Sequence, residues 1–222
     1  MVAAALVTKV VRGPQEPDRL LLLMHGKGAD EQDLVPLIPF LDPESRFLTV
    51  LPRAPLPFMG GWEWYDSDGI PKGGPELIGS VDALDDLLDS CCAEYGFDRS
   101  QAIVAGFSQG CALTLALGLR RNDRPRPAGL IGMSGFLPER AGLEYDFAGA
   151  PPVLIQHGTL DPLISVDYGR KAAARLAAEE VPVVYREYAM AHQVAGESLH
   201  DTRSWLGLVL AGERPTEPAP AS

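Results

Sequence analysis

Residues 104–112 read VAGFSQGCA, a serine between two glycines at the point where one apolar run stops and another starts. The run 102–107 (AIVAGF) has the continuous apolar character of a strand buried on both faces. From residue 109 the pattern turns helical and continues to about 121. Gly106, Ser108 and Gly110 therefore spell G-x-S-x-G across a strand-to-helix junction. A sharp turn there lifts a serine hydroxyl above the sheet edge, and flanking glycines remove the Cβ atoms that would collide. The helix start beneath it favours negative charge beside the serine oxygen. The motif alone is weak, and a plain Gly-Ser connector competes with it until its surroundings are read.

Those surroundings repeat the same alternation. Strand-like runs occupy residues 5–11, 19–24, 47–51, 102–107, 129–133, 152–157 and 183–188, and helical patterns occupy 75–95, 109–121, 166–180 and 196–210. Alternating strands and helices predict a mostly parallel central sheet with helices on both faces. One domain is expected over 1–211. Residues 212–222, rich in Pro, Ala and charge, are expected as a disordered tail. The stretch 120–127 (RRNDRPRP) is locally basic and reads as a solvated loop. The longest segment without a clear element is 52–74, expected to be irregular and to line or cover a site.

Composition narrows the function. A chain of 222 residues, 46% hydrophobic, can bury most of its surface, roughly 70–75% at this size. The net charge of −11 opposes binding to phosphate backbones, so nucleic acid is not expected as a partner. Three cysteines, two of them adjacent (Cys91, Cys92 and Cys111), fit neither a disulfide framework nor a paired zinc site. The N-terminal stretch lacks the pattern of a signal peptide, and no apolar run is long enough to span a bilayer, so the expected location is cytoplasmic. No metal is expected, since no metal-ligand constellation is visible.

A nucleophilic serine needs a base, and the base needs an orienting acid, in the chain order serine, acid, histidine for this arrangement. There are four histidines. His25 and His157 stand too early in the chain, and His200 falls inside the last helical pattern. His192, in the loop after the last strand, remains. Asp161 lies in the loop after the run ending at His157. Ser108, Asp161 and His192 would thus share the carboxyl edge of the sheet, where open α/β sheets bind ligands. A turn-capping Asp161 and a surface His192 are the plainer readings of each residue taken singly. Backbone N–H groups of Lys27, in the loop HGKG, and of Gln109 are the expected donors to an oxyanion. Catalysis would need a neutral imidazole, so activity is expected to rise from acid toward weakly alkaline pH.

The stretches LLLMHGKGADEQDL, LPRAPL, GGWEWYD, AGFSQG, MSGFLP, HGTLDPLI and MAHQV, in this order, resemble the phospholipase/carboxylesterase branch of the α/β-hydrolases, which includes acyl-protein thioesterases. The resemblance implies an α/β-hydrolase fold and a small, cofactor-free serine hydrolase acting on carboxylic esters or thioesters. It places Ser108, Asp161 and His192 in the triad and Lys27 and Gln109 at the oxyanion positions. Lys27, Ala191 and Gln193 depart from residues common in that branch. A ligand-binding protein on the same fold, or a lyase or acyltransferase using the same triad, are the other functions weighed.

For the substrate pocket, Met59, Trp62 and Trp64 from the long segment, with Leu163, Ile164 and Met190 flanking the acid and base, are the expected walls; the competing reading of the segment's large apolar groups is that they cap the core beside the sheet. No long insertion follows Met133, so no large lid domain is expected. The pocket should be open and suited to short or medium acyl chains. Apolar surface near the long segment has two readings, a homodimer contact and the substrate entrance.

Overall fold

The computed structural model describes residues 6–66 and 73–217. Its main sheet has seven strands: β1 (Thr8–Val11), β2 (Arg19–Met24), β3 (Phe47–Pro52), β6 (Ala102–Phe107), β7 (Gly129–Met133), β8 (Val153–Gly158) and β9 (Val183–Tyr188). They lie in the order β1-β3-β2-β6-β7-β8-β9, with β1 antiparallel and every other pairing parallel. All seven strands overlap the seven apolar runs of the sequence. The helices are α1 (Ile38–Leu41), α2 (Leu77–Tyr95), α3 (Gln109–Leu119), α4 (Val166–Ala178) and α5 (Gly196–Leu210).

The period of two along each strand divides the core between the two faces. Leu20, Leu22 and Met24 of β2, with Ala102 and Val104 of β6, pack against α2, α3 and α4. Leu21 and Leu23, with Ile103 and Ala105, pack against α1 and α5. Every residue of α3 is buried, as befits a helix that is apolar all round and carries the serine at its start.

Three features differ from the sequence-based expectation. The segment 52–74 is not wholly irregular, because Leu56–Phe58 (β4) and Gly61–Glu63 (β5) form a hairpin. Its two-residue turn, Met59 and Gly60, has positive φ at both positions (44° and 88°), the geometry that matches strand twist. Residues 67–72 of that segment lie outside the described residues. The basic stretch after α3 is no simple solvated loop. Arg120 and Arg124 reach over α2 to Asp82, Asp85, Asp86 and Asp89, and Arg99 also pairs with the fully buried Asp85. The expected tail begins attached. The Glu217 N–H donates to Val183 O at 3.0 Å, its carboxylate pairs with Arg186, and Arg214 donates to Ala150 O at 2.6 Å. The rest of the tail lies outside the described residues.

Candidate active site

Ser108 sits between β6 and α3 with φ 57° and ψ −115°, a conformation that strains any residue with a side chain. Backbone bonds hold it there. Its N–H donates to Met133 O at 2.8 Å, and its carbonyl accepts from Cys111 N at 3.0 Å. The flanking glycines are required by contact. A Cβ on Gly106 would fall 2.3 Å from the backbone of Gly110, and one on Gly110 would fall 2.3 Å from Met24 O. The turn thus packs the backbone of β2, β6 and α3 closely together around Ser108.

Asp161 follows β8, and His192 follows β9. Asp161 Oδ1 accepts from the N–H groups of Leu163 and Ile164, both at 2.9 Å, and Oδ2 accepts from His192 Nδ1 at 2.7 Å. The Asp161 side chain is fully buried. Burial pushes its carboxyl up, but the backbone donors and the His192 ring outweigh that, and it sits below the ordinary carboxylate range. It is therefore an anion at neutral pH, which fixes the proton of His192 on Nδ1 and leaves Nε2 as the acceptor. The His192 ring packs on Phe107 at 4.8 Å between centroids, and Leu160 N donates to Met190 O at 3.1 Å, tying together the loops that carry Asp161 and His192.

Ser108 and His192 both line one cavity of about 390 Å³, together with Gly26, Lys27, Gln109, Leu163 and Ile164 and the aromatic groups of Phe58, Tyr65, Phe107 and Phe136. The two residues expected to offer backbone donors thus stand at its wall. Gln109 opens α3, so its N–H belongs to the helix's first turn. Lys27 lies in the loop after β2, and His25 braces that loop. The buried His25 ring donates from Nδ1 to Gly26 O at 2.7 Å and accepts at Nε2 from Ala54 N at 3.1 Å. Burial lowers its pKa and keeps it neutral. The Lys27 ammonium pairs with Glu63 at 2.8 Å and lies 4.1 Å over the Phe58 ring.

The expected pocket walls need correcting. Leu163 lines the cavity, but Met59, Trp62, Trp64 and Met190 do not. Met59 is at the hairpin tip, 93% exposed, while Met190 is buried. Trp62 is spent on the loop after β2, exchanging backbone bonds with Gly28 and Ala29. Trp64 is fully buried. Its Nε1 donates to His25 O, and its backbone N–H donates to the Gln109 side chain. It is a core residue, so Trp64→Ala should cost about 3–5 kcal/mol of stability, a fall in Tm of roughly 10 °C, while leaving the acyl-chain profile unchanged in shape. Thermal denaturation beside an ester series checks this, and a shifted profile with an unchanged Tm contradicts it. Sequence reasoning missed Phe107 and Phe136 as walls. The signal was their position, at or just beyond the carboxyl ends of β6 and β7.

Comparison with known proteins bears on the family and the fold. The chain is 26% identical over 211 residues to mouse lysophospholipase-like protein 1, covering 87% of each chain. It is 26% identical over 184 residues to acyl-protein thioesterase 1 of Yarrowia lipolytica, covering 76% of this chain and 77% of that one. Its fold matches the crystal structure of a Bacillus cereus carboxylesterase with a TM-score of 0.81 at 22% identity, covering 93% of this chain and 96% of that one. The model of the phospholipase/carboxylesterase family matches residues 6–210, nearly the whole sequence, and the chain belongs to that family of α/β-hydrolases.

Proposed function

We propose that the protein hydrolyses carboxylic esters or thioesters of short to medium acyl chains through an acyl-enzyme on Ser108. The observation that carries this reading is the Asp161–His192 bond of 2.7 Å, with His192 opening onto the cavity that Ser108 also lines. Ser108 Oγ attacks the carbonyl carbon and gives its proton to His192 Nε2. The backbone N–H groups of Lys27 and Gln109 receive the oxyanion. The alcohol or thiol leaves with the proton from His192, and water repeats the steps to release the acid. Asp161 keeps the imidazole in the tautomer that accepts at Nε2. The three free, buried cysteines support a reducing, cytoplasmic setting. Among the described residues no helix is long and apolar enough to cross a membrane.

The cavity supports a modest acyl group. Each buried methylene contributes about 0.8 kcal/mol, so rates on nitrophenyl esters should climb with chain length until the space is filled, then fall. Phe136 is buried and lines the cavity. Phe136→Ala should move the optimum to longer chains, whereas a profile that keeps its maximum would remove Phe136 from the acyl wall. Leu163, 68% exposed, marks the entrance, and this reading is preferred to a dimer contact because the residue also lines the cavity.

A further inference from the structure

One buried histidine lies outside the mechanism. His157 is the penultimate residue of β8, and its side chain has no exposure. Its Nε2 is 2.9 Å from Ile164 O and 3.5 Å from Asp161 Oδ2. Both neighbours are acceptors, so Nε2 carries the proton. That leaves Nδ1 bare, and among the described residues it has no partner. The charged and titratable groups around the ring are Asp161, His192 and Glu187, and burial above all keeps it neutral.

The fold accepts two costs to keep this ring. An orphaned buried nitrogen loses its hydration with nothing in exchange. Gly169 stands inside α4, where glycine is less favourable than alanine, and a Cβ there would fall 2.7 Å from His157 Nδ1. An apolar side chain would fill the space without the orphan. What only the imidazole supplies is a donor aimed at the turn 161–164. That turn is closed on one side by the Asp161 carboxylate accepting from Leu163 and Ile164, and on the other by His157 donating to the Ile164 carbonyl.

We propose that His157 is a positioning residue of the active site: its Nε2–H anchors the 161–164 turn to the end of β8 and so fixes the carboxylate that orients His192. The proposal rests on the reading of Ser108, His192 and Asp161 as the reacting set. His157 touches no substrate atom and moves no proton.

The test uses three substitutions that separate donor position from bulk. The amide nitrogen of His157→Gln reaches close to the place of Nε2, that of His157→Asn lies close to the place of Nδ1, and His157→Leu has no donor. Rates on nitrophenyl butyrate are expressed per serine labelled to completion by a fluorophosphonate, so that unfolded molecules do not count. The Gln variant should keep kcat within about threefold. The Asn and Leu variants should lose roughly tenfold or more in kcat with KM unchanged, the rate equivalent of one hydrogen bond to the acid's turn. Equal losses in Gln and Asn, a loss confined to KM, or wild-type rates per labelled serine in all three would overturn the proposal. If wild-type protein cleaves the ester but its Ser108 takes no label, the reading of Ser108 fails instead.

Discussion

Replacing Ser108 by alanine is expected to lower kcat by roughly 10⁶-fold, the scale lost when a serine hydrolase is deprived of its nucleophile. The fold should survive. Among the described residues, the hydrogen bonds of Ser108 run through its backbone: to Met133 O, and from the N–H groups of Cys111 and Ala112. These bonds remain when the hydroxyl is removed, so stability should stay within about 0.5 kcal/mol of wild type. Circular dichroism and thermal melting check the second point while ester turnover checks the first. A folded variant that retained near-native turnover would leave the strained turn without a catalytic purpose.

The second large effect separates the histidines. His192→Ala should fall by several orders of magnitude, because it removes the group that accepts the serine proton. His200 is exposed on α5, and His200→Ala should leave turnover within a factor of about two. His25 is no rival base, because both its ring nitrogens are engaged by the backbone. Of the four histidines, His192 is the one that lines the cavity. The comparison is made at saturating substrate, at several pH values. An inactive His200→Ala beside an active His192→Ala would reverse the assignment.

Much of the fold could be read from the chain because parallel strands buried on both faces leave an unmistakable apolar run. The runs at 19–24, 102–107 and 152–157 are examples. The hairpin of β4 and β5 escaped notice for equally physical reasons. Its turn is Met59-Gly60 in place of the usual Asn-Gly, and Pro57 sits within its first strand. The residues proposed for catalysis were legible because G-x-S-x-G and the loops after β8 and β9 fix their order along one sheet edge. Pocket walls were not, because nothing local in Trp64 or Phe136 says which of two aromatic side chains faces the core and which faces a cavity. The roles of buried polar groups were hidden for the same reason. Gln109 was expected to act through its N–H, yet its side chain also accepts from Trp64 N at 2.9 Å and donates to Tyr65 O at 2.7 Å, pinning the long segment to α3. The basic stretch after α3 reads as solvated only until its partner Asp85 is found buried on α2.

The central claim is a covalent acyl-enzyme on one serine, and rapid quenching tests it most directly. Wild-type protein mixed with excess nitrophenyl ester, quenched in acid within the first turnovers and digested, should give one peptide heavier by the mass of the acyl group, with the modification mapped to Ser108. Acylation at any other residue, or steady ester cleavage with no acylated peptide, would contradict the account.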